Sequence, residues 1–306
     1  RDIRSMFPRG WLVEVDIRVA ERKRHTGQRL RPRCYRGSNT KHSMNGRLQK
    51  LYWWLESLIN PGAESSQYVY ERSLRKRISS STTWLDAGCG TSIMPWWVPG
   101  QVDLIGLART VFGMDPLMGA LESNKQIHYR VAGKLEDLPF SAESLSLVSA
   151  NMVVEHVENP AKTLAEVERV LVPGGRFVFH TPNKHHYLVF IASLLPQWFK
   201  GWMVKSTESR TPFKTFYRFN TIDRIEELAH SSGFVVDELQ CTDTSSASFI
   251  YFGPFVIPML LYARFLRLTG LNKYGSNLVV VLRKYSHRTN TTVPFGKMED
   301  NAIRES

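Results

Sequence analysis

The stretch TWLDAGCGTS (residues 83–92) joins a short apolar run to an acid and two glycines. An apolar run that ends in a glycine turn is typical of a buried β-strand. Glycine lets the chain turn tightly and approach a ligand closely, because it has no Cβ atom. We therefore predict a strand over residues 83–88. In open α/β sheets, ligands bind at the carboxyl ends of strands, so the turn after this strand is a candidate binding position.

Two common nucleotide-binding patterns do not fit this turn. A dinucleotide fingerprint has glycine at its first, third and sixth positions. Counting from Gly88, those positions hold Gly88, Gly90 and Ile93, and the isoleucine disfavours NAD and FAD. A phosphate-binding P-loop needs Gly-Lys followed by Ser or Thr, and the stretch contains no such sequence.

Outward from this turn, strand and helix patterns alternate along the chain. Apolar runs predict further strands over residues 110–115, 127–132, 145–154, 176–182, 235–241 and 276–285. Amphipathic patterns predict helices over residues 47–59, 65–79, 159–171 and 221–234. Such alternation implies an α/β fold with a mainly parallel sheet and helices on both faces.

The predicted domain spans residues 47–285. We expect a disordered basic leader over residues 1–46 and a polar tail over residues 286–306. Two apolar segments, about residues 186–206 and 247–271, interrupt the alternation. They are interpreted as helices that cover the core, as a lid over a lipophilic substrate or as an interfacial membrane anchor. Gly253, Pro254 and Pro258 make the second segment too broken to span a bilayer.

The net charge of +12 is concentrated in the leader. Residues 1–50 hold 14 Lys and Arg against 4 Asp and Glu, whereas the other 256 residues hold 26 against 24. The domain therefore offers no basic track for phosphates, and we expect no nucleic-acid substrate. We interpret the leader as a solvated tail, with an RNA-binding or phospholipid-binding arm as the alternative.

Cysteine usage and the leader bear on the compartment. Cys34, Cys89 and Cys241 show neither a disulfide framework nor a zinc-ligand spacing, which favours a reducing compartment. The run WLVEVDI contains two acids, so it is not the apolar core of a signal peptide. We expect a cytoplasmic protein, with membrane association as a second possibility.

Six motifs follow one another between residues 85 and 183: LDAGCGTS, the acid of GMD, LEDLPF, NMVVEHVENP, EVERVLVPGGRF and HTPN. In this order they resemble the class I S-adenosylmethionine-dependent methyltransferases, and within them the group with LDxGCG, LPF, EH and PGG motifs. The resemblance covers roughly residues 48–285. It implies a Rossmann-like, doubly wound sheet of seven strands with an antiparallel last strand, and S-adenosyl-L-methionine as the cofactor.

The resemblance also implies the main cofactor contacts. Asp86 would face the positively charged amino-acid end of the cofactor. Gly88 and Gly90 would let the chain pass close beneath the methionyl and ribose portions. Asp115 would accept hydrogen bonds from both ribose hydroxyls, because a carboxylate offers two oxygens to a vicinal diol.

Two further contacts and two departures complete this comparison. Leu135 would lie near the adenine, and Asn151 beside the cofactor at the end of the fourth predicted strand. Lys134 stands where the family often carries an acid that meets the adenine amino group, and lysine cannot accept a hydrogen bond. Ser146 stands where the fourth strand commonly opens with Asp. These departures leave open a non-catalytic binding or scaffold protein on the same fold.

Methyl transfer from a sulfonium is an in-line displacement, so positioning of the two reactants supplies much of the acceleration. A hydroxyl or amine acceptor must also lose a proton. His156 is the first candidate base and Glu155 the second, because this pair follows the fourth predicted strand directly; a histidine that packs against the next helix is the alternative. Other candidates near the fifth strand are His180, His185 and His186. The last two lack further ligands at metal-binding spacing, so we expect no metal.

The sequence therefore predicts a methyltransferase that uses S-adenosyl-L-methionine. The aromatic and apolar segments favour a small, lipophilic or lipid-linked acceptor and allow peripheral membrane contact through residues 247–271. The sequence indicates neither the acceptor atom nor the oligomeric state.

Overall fold

The computed structural model describes residues 6–7, 14–15, 43–95, 98, 101–186, 213–242, 253 and 256–286. The strands are β1 (Glu14–Val15), β2 (Thr83–Ala87), β3 (Thr110–Asp115), β4 (Tyr129–Ala132), β5 (Leu145–Asn151), β6 (Leu171–Pro182), β7 (Phe234–Thr242) and β8 (Asn277–Lys284). The helices are α1 (Ser43–Ile59), α2 (Ser66–Arg75), α3 (Gln101–Leu107), α4 (Met118–Ser123), α5 (Pro160–Val170), α6 (Ile222–Ser231) and α7 (Val256–Thr269). Short 3-10 turns cover Val154–His156 and Asn272–Tyr274.

The strands form one sheet in the spatial order β1-β4-β3-β2-β5-β6-β8-β7. β4, β3, β2, β5 and β6 are parallel to one another. β8 inserts antiparallel between β6 and β7. The predicted Rossmann-like, mainly parallel sheet with an antiparallel last strand is confirmed. The two-residue β1, antiparallel to β4, adds a strand that the sequence did not indicate.

Both faces of the sheet are covered, which explains why the central strands β2 and β3 are buried at every residue but the first. One core cluster joins the sheet to α5 and α6 and includes Phe112, Phe177, Leu164 and Ile225. The other joins the opposite face to α2 and includes Trp84, Val178, Tyr70 and Leu74. Phe177 and Val178 contribute to different clusters because consecutive strand residues point to opposite faces.

Two short parts of the predicted leader contact this domain. The Phe7 ring is buried, with its centroid 5.7 Å from that of Phe112 and 5.0 Å from that of Phe140. The Ser141 amide donates to the Met6 carbonyl at 2.8 Å. The leader therefore contributes to the core at Phe7 and to the sheet at β1, while the division at residue 47 stays a prediction.

The second predicted apolar segment contains α7, which packs on α1. Tyr52 of α1 is buried with Val256 and Leu260 of α7. The Arg264 guanidinium donates to the Ile59 carbonyl at 2.9 Å, which ties α7 to the end of α1. Apart from His186, the first segment, about residues 186–206, lies outside the described residues. Among the described helices, none combines the length and the apolar character that crossing a bilayer requires.

Candidate active site

The turn after β2 is held against the end of β3. The Gly88 and Cys89 amides both donate to the Met114 carbonyl, at 2.6 and 3.1 Å. Gly88 has a φ of +72°, and a Cβ atom there would lie 2.3 Å from Val153 Cγ2. Gly90 has a φ of +48°, and among the described residues beyond its chain neighbours no atom lies within 4 Å of where its Cβ would be. Glycine is therefore required at Gly88 by conformation and by space, and at Gly90 by conformation alone.

Asp115 connects this turn to the end of β3. One carboxylate oxygen accepts the Gly90 amide at 3.1 Å, and the other accepts the Leu117 amide at 2.8 Å. The residue is 7% exposed. Each carboxylate oxygen has two acceptor sites, so both oxygens keep capacity for a further donor. This geometry fits the predicted hydrogen bonds to a vicinal diol.

Asp86 lies one residue inside the end of β2 and is 1% exposed. The Ser149 hydroxyl donates to its carboxylate at 2.5 Å, and the Trp84 indole donates to Ser149 Oγ at 2.7 Å. Burial raises the pKa of Asp86 to about 7, the Ser149 hydrogen bond lowers it in part, and the nearby charge of Asp115 raises it. In the described part of the chain, no basic side chain forms an ion pair with either acid.

The glycine turn, Asp115 and Asp86 fit the cofactor that the motifs imply. S-adenosyl-L-methionine carries a sulfonium, an ammonium group and a ribose diol. Two buried carboxylates at neighbouring strand ends, without a basic partner in the described residues, favour a cationic ligand. The described residues leave space at the Cβ position of Gly90, beside Asp115, where that ligand could lie.

Asn151, the last residue of β5, belongs to a separate polar cluster. Its amide nitrogen donates to Gln67 Oε1 at 2.9 Å, and its oxygen lies 2.8 Å from His180 Nδ1. Because an amide oxygen only accepts, His180 carries its proton on Nδ1. Its buried Nε2 has no hydrogen-bond partner among the described residues, and burial lowers the pKa of His180 to about 3. His180 therefore stays neutral and is a weak base.

Leu135 and Lys134 lie beyond the end of β4. Leu135 is 4% exposed and joins the core cluster that contains Met114 and Val131. The Lys134 side chain is exposed, and its backbone carbonyl accepts the Asp137 amide at 3.1 Å. Lys134 is thus not buried in the domain, and the predicted adenine contacts of this segment stay predictions.

Glu155 and His156 lie in the 3-10 turn that follows β5. Glu155 is 4% exposed, and one of its oxygens accepts the Thr181 hydroxyl at 3.2 Å. Burial raises the pKa of Glu155 to about 7, whereas hydrogen bonds from its own amide and from Thr181 lower it. Near pH 7 this carboxyl group is therefore poised between its neutral and charged forms.

His156 is more accessible than Glu155. Its Nδ1 lies 3.0 Å from the Lys214 carbonyl, so Nδ1 carries the proton and Nε2 is the basic nitrogen. The Phe213 ring lies 5.9 Å from the imidazole. This orientation suits a base whose Nε2 is directed by a hydrogen bond on the opposite side of the ring.

The structure brings together four of the six predicted cofactor residues and adds residues that the sequence did not indicate. Asp86, Gly88, Gly90 and Asp115 form one unit. Ser149 was missed because its pairing with Asp86 depends on the register between β2 and β5. Val153 was missed because its contact with Gly88 joins distant parts of the chain. Among the described residues, no group of His, Cys, Asp or Glu could hold a metal ion.

Comparison with known proteins places this site in a recognised sequence context. Residues 85–179 match a protein family described as a methyltransferase domain. The chain is 27% identical over 164 residues to the mitochondrial ubiquinone biosynthesis O-methyltransferase of Rattus norvegicus, covering 50% of this chain and 44% of that protein. It is 28% identical over 180 residues to the demethylmenaquinone methyltransferase of Symbiobacterium thermophilum, covering 51% of this chain and 69% of that protein.

A third relative and a solved structure extend the comparison. A probable S-adenosylmethionine-dependent methyltransferase of Mycolicibacterium smegmatis is 34% identical over 122 residues, covering 39% of this chain and 44% of that protein. The matched regions thus span less than half of the rat and Mycolicibacterium proteins. A solved S-adenosylmethionine-dependent methyltransferase of Mesorhizobium loti superposes with a TM-score of 0.49 at 18% identity, covering 72% of this chain and 98% of that one. The glycine turn, both buried acids and the Glu155–His156 pair all lie inside the stretch that matches a methyltransferase domain.

Proposed function

We propose that this protein transfers a methyl group from S-adenosyl-L-methionine to a small, lipophilic acceptor. The observation that carries the proposal is the unit formed by Asp86, Gly88, Gly90 and Asp115, inside the stretch that matches a methyltransferase domain. Its two buried carboxylates have no basic partner among the described residues, and the turn leaves space for a ligand.

The residues of the unit have distinct roles in the proposed reaction. The bound cofactor supplies the electrophilic methyl group. Asp115 holds the ribose through its two oxygens, and its bond to the Gly90 amide keeps the turn and the carboxylate in register. Asp86 faces the ammonium end, where a positive charge favours its ionised form. Because transfer is an in-line displacement, this fixed placement accounts for much of the acceleration.

His156 is the proposed base for an acceptor hydroxyl or amine. Its Nδ1–H donates to the Lys214 carbonyl, which leaves Nε2 able to take the proton. Glu155 is the second candidate, since its raised pKa lets it exchange a proton near pH 7. His180 is the weaker choice because of its low pKa.

The proposed lipophilic acceptor rests on the aromatic and apolar segments of the sequence and on the names of relatives. Two relatives are named for ubiquinone biosynthesis and for demethylmenaquinone, and both names refer to quinones. We extend from them only the lipophilic character of the acceptor, because the matched regions cover 44% and 69% of those proteins. The atom that is methylated is left open.

We further propose that the protein meets its acceptor at a membrane surface, through the apolar face of α7. Ile257, Leu261, Phe265 and Leu268 recur along one side of this helix and are exposed, Leu268 by 70%. Trp54 and Leu58 of the adjoining α1 are exposed as well. The helix α7 contains no acid, and the basic leader precedes α1, which suits an anionic lipid surface.

Methyl transfer to extracted acceptors tests the proposed activity. The full chain is incubated with methyl-labelled cofactor and with lipid or aqueous extract, and we expect label in the lipid fraction. Asp115→Asn should reduce the transfer strongly, whereas Asp237→Asn, on the edge strand β7, should not. Absence of label from both fractions would contradict the proposal and favour a non-catalytic protein. Equal label with Asp115→Asn would contradict the assignment of Asp115 to the cofactor site.

A further inference from the structure

A cavity of 860 Å³ opens where α5 and α6 begin, apart from the cofactor turn. Its walls include Glu158 and the start of α5 on one side, and Phe216 and Arg218 with the start of α6 on the other. Asn220 and Lys184 complete the lining at the carboxyl end of β6. The volume lies within the range of small-molecule sites, about 300–1,000 Å³.

The cavity is positively charged. Its charged lining residues are Lys184, Arg218, Arg224 and Glu158, which sum to +2. In the described residues no ion pair involves Lys184 or Arg218. Among the described residues Arg224 pairs with the exposed Glu227 alone, and exposed pairs of this kind contribute little to stability. A dianion would neutralise this lining.

Arg218 is held in position before any ligand arrives. Its guanidinium donates to the Glu158 carbonyl at 2.9 Å and lies 5.6 Å from the centroid of the Phe216 ring. These contacts leave other N–H groups of the guanidinium for a ligand, and they limit the entropy lost on binding. Arginine presents a planar pair of donors that matches phosphate oxygens.

The cavity wall is bonded directly to the proposed catalytic turn. The Phe216 and Tyr217 amides donate to the Glu155 carbonyl at 2.8 and 3.2 Å. The side-chain amide of Asn220 donates to Thr181 Oγ1 at 2.5 Å, and the Thr181 hydroxyl donates to the Glu155 carboxylate at 3.2 Å. The cavity residues Phe216, Tyr217 and Asn220 therefore belong to the same hydrogen-bond network as Glu155, the second candidate base.

The distance to the cofactor turn is limited by the chain. Val153 lies against Gly88, and Glu158 lines the cavity five residues later. Five residues of main chain span at most about 18 Å, and the 3-10 turn between them shortens the path. One acceptor molecule can thus reach from the cofactor turn to the cavity.

We propose that this cavity binds a phosphate group of the methyl acceptor, so that the acceptor is an amphiphile with an anionic group remote from the methylated atom. The inference rests on the proposed methyl transfer and specifies its substrate class. The +2 lining favours a phosphate dianion over a single carboxylate. An apolar portion of the acceptor agrees with the exposed apolar face of α7.

Calorimetry with phenyl phosphate as the probe tests the cavity on the full chain, with phenol as the neutral counterpart. We expect phenyl phosphate to bind and phenol not to bind. Arg218→Gln should weaken phenyl phosphate binding by about tenfold or more, because it removes one of three cations. The matched control Arg283→Gln removes an arginine of β8 that pairs with Asp237 and does not line the cavity, and it should leave binding unchanged. Equal affinities for phenyl phosphate in all three proteins would overturn the proposal.

A second measurement asks whether the bound phosphate belongs to the acceptor. Phenyl phosphate should raise the apparent KM for the labelled acceptor without lowering kcat. Inhibition of kcat alone, or no inhibition at saturation, would assign the cavity to a separate phosphate ligand and overturn the inference. Cofactor affinity, measured in parallel, separates the proposed methyl transfer from the phosphate site. If the unaltered chain binds the cofactor but not phenyl phosphate, only the phosphate site is contradicted. Absence of cofactor binding by the unaltered chain would contradict both the proposed methyl transfer and the phosphate site.

Discussion

At the residue scale, the site depends on how closely the turn after β2 can approach Val153. The Gly88 position combines a left-handed φ with a distance of 2.3 Å from the Cβ position to Val153 Cγ2. Val153 is β-branched and belongs to the segment that carries Glu155 and His156, so a backbone shift that relieved this contact would also move both candidate bases. A side chain at residue 88 would therefore disturb both the cofactor turn and the catalytic turn.

Gly88→Ala should consequently destabilise the fold by about 2 kcal/mol or more, through backbone strain and overpacking. The comparison is Gly119→Ala in α4, where no atom of the described residues outside the helix's own backbone and the chain neighbours lies within 4 Å of the Cβ position. That substitution should be neutral or stabilise by up to about 1 kcal/mol. Urea unfolding measures both changes. Equal stabilities of the two variants would show that Val153 does not restrict this turn.

The buried Asp86 should make stability depend on pH. Its pKa is raised from 3.8 to about 7 in the folded protein, so the folded state holds this proton more tightly than the unfolded state. The contribution of Asp86 to the free energy of unfolding is fully present below about pH 4 and is lost as the pH rises through 7. The loss is on the order of 4 kcal/mol, from about 1.4 kcal/mol for each unit of pKa. Glu155 acts in the same direction, because its pKa is also raised to about 7.

Between pH 5 and pH 8 the free energy of unfolding should therefore fall less in Asp86→Asn than in the wild type. The smaller decrease that remains is the one caused by ionisation of Glu155. Asparagine keeps an oxygen that can accept the Ser149 hydroxyl and cannot ionise. Denaturant unfolding at several pH values measures the effect. If wild type and variant lost stability in parallel over this range, Asp86 would already be ionised in the folded protein.

His156 is distinguished from a packing residue by two substitutions. His156→Ala should lower kcat about 100-fold or more with little change in cofactor affinity, because a positioned base contributes that much. His156→Gln can still donate to the Lys214 carbonyl but cannot act as the base. If the glutamine variant regained activity, His156 would be structural. His230→Ala is the control and should keep kcat unchanged, since His230 is exposed in the last turn of α6 and is not a candidate base.

At the element scale, the alternation of strands and helices was predictable, whereas the contacts between elements were not. Residues 83–88 were predicted as a strand because an apolar run ends at a glycine turn, and β2 covers Thr83–Ala87. The register that places Ser149 opposite Asp86 depends on pairing between strands far apart in the sequence. β1 has only two residues, too few for any periodicity. The cation cluster of the cavity was missed for the same reason, because Lys184, Arg218 and Arg224 meet only after folding.

The apolar face of α7 predicts binding to anionic vesicles. The double substitution Leu261→Glu with Phe265→Glu should abolish co-sedimentation, because each side chain contributes about 1.5–3 kcal/mol when buried in lipid. Leu107→Glu on α3 changes a residue of 42% exposure outside this face and should retain binding. Retention of binding by the double variant would place the membrane contact elsewhere on the chain.

At the scale of the whole molecule, one edge of the sheet holds both proposed binding regions. The ends of β2 and β3 form the cofactor unit, and the ends of β5 and β6 lead to the cavity at α5 and α6. Residues 153–158 connect the two, with Val153 against Gly88 and Glu158 at the cavity. The cofactor unit and the acceptor region are therefore joined by one short segment that also carries the candidate base.

The most direct test of the central claim is calorimetric titration of the full chain with S-adenosyl-L-methionine. We predict saturable binding at one site per chain, strongly weakened in Asp115→Asn, which removes the charge and one of the two acceptor oxygens. Asp237→Asn, at the far edge of the sheet, should bind as the unaltered chain does. Absence of binding to the unaltered chain, or equal binding by Asp115→Asn, would contradict the assignment of this turn as the cofactor site.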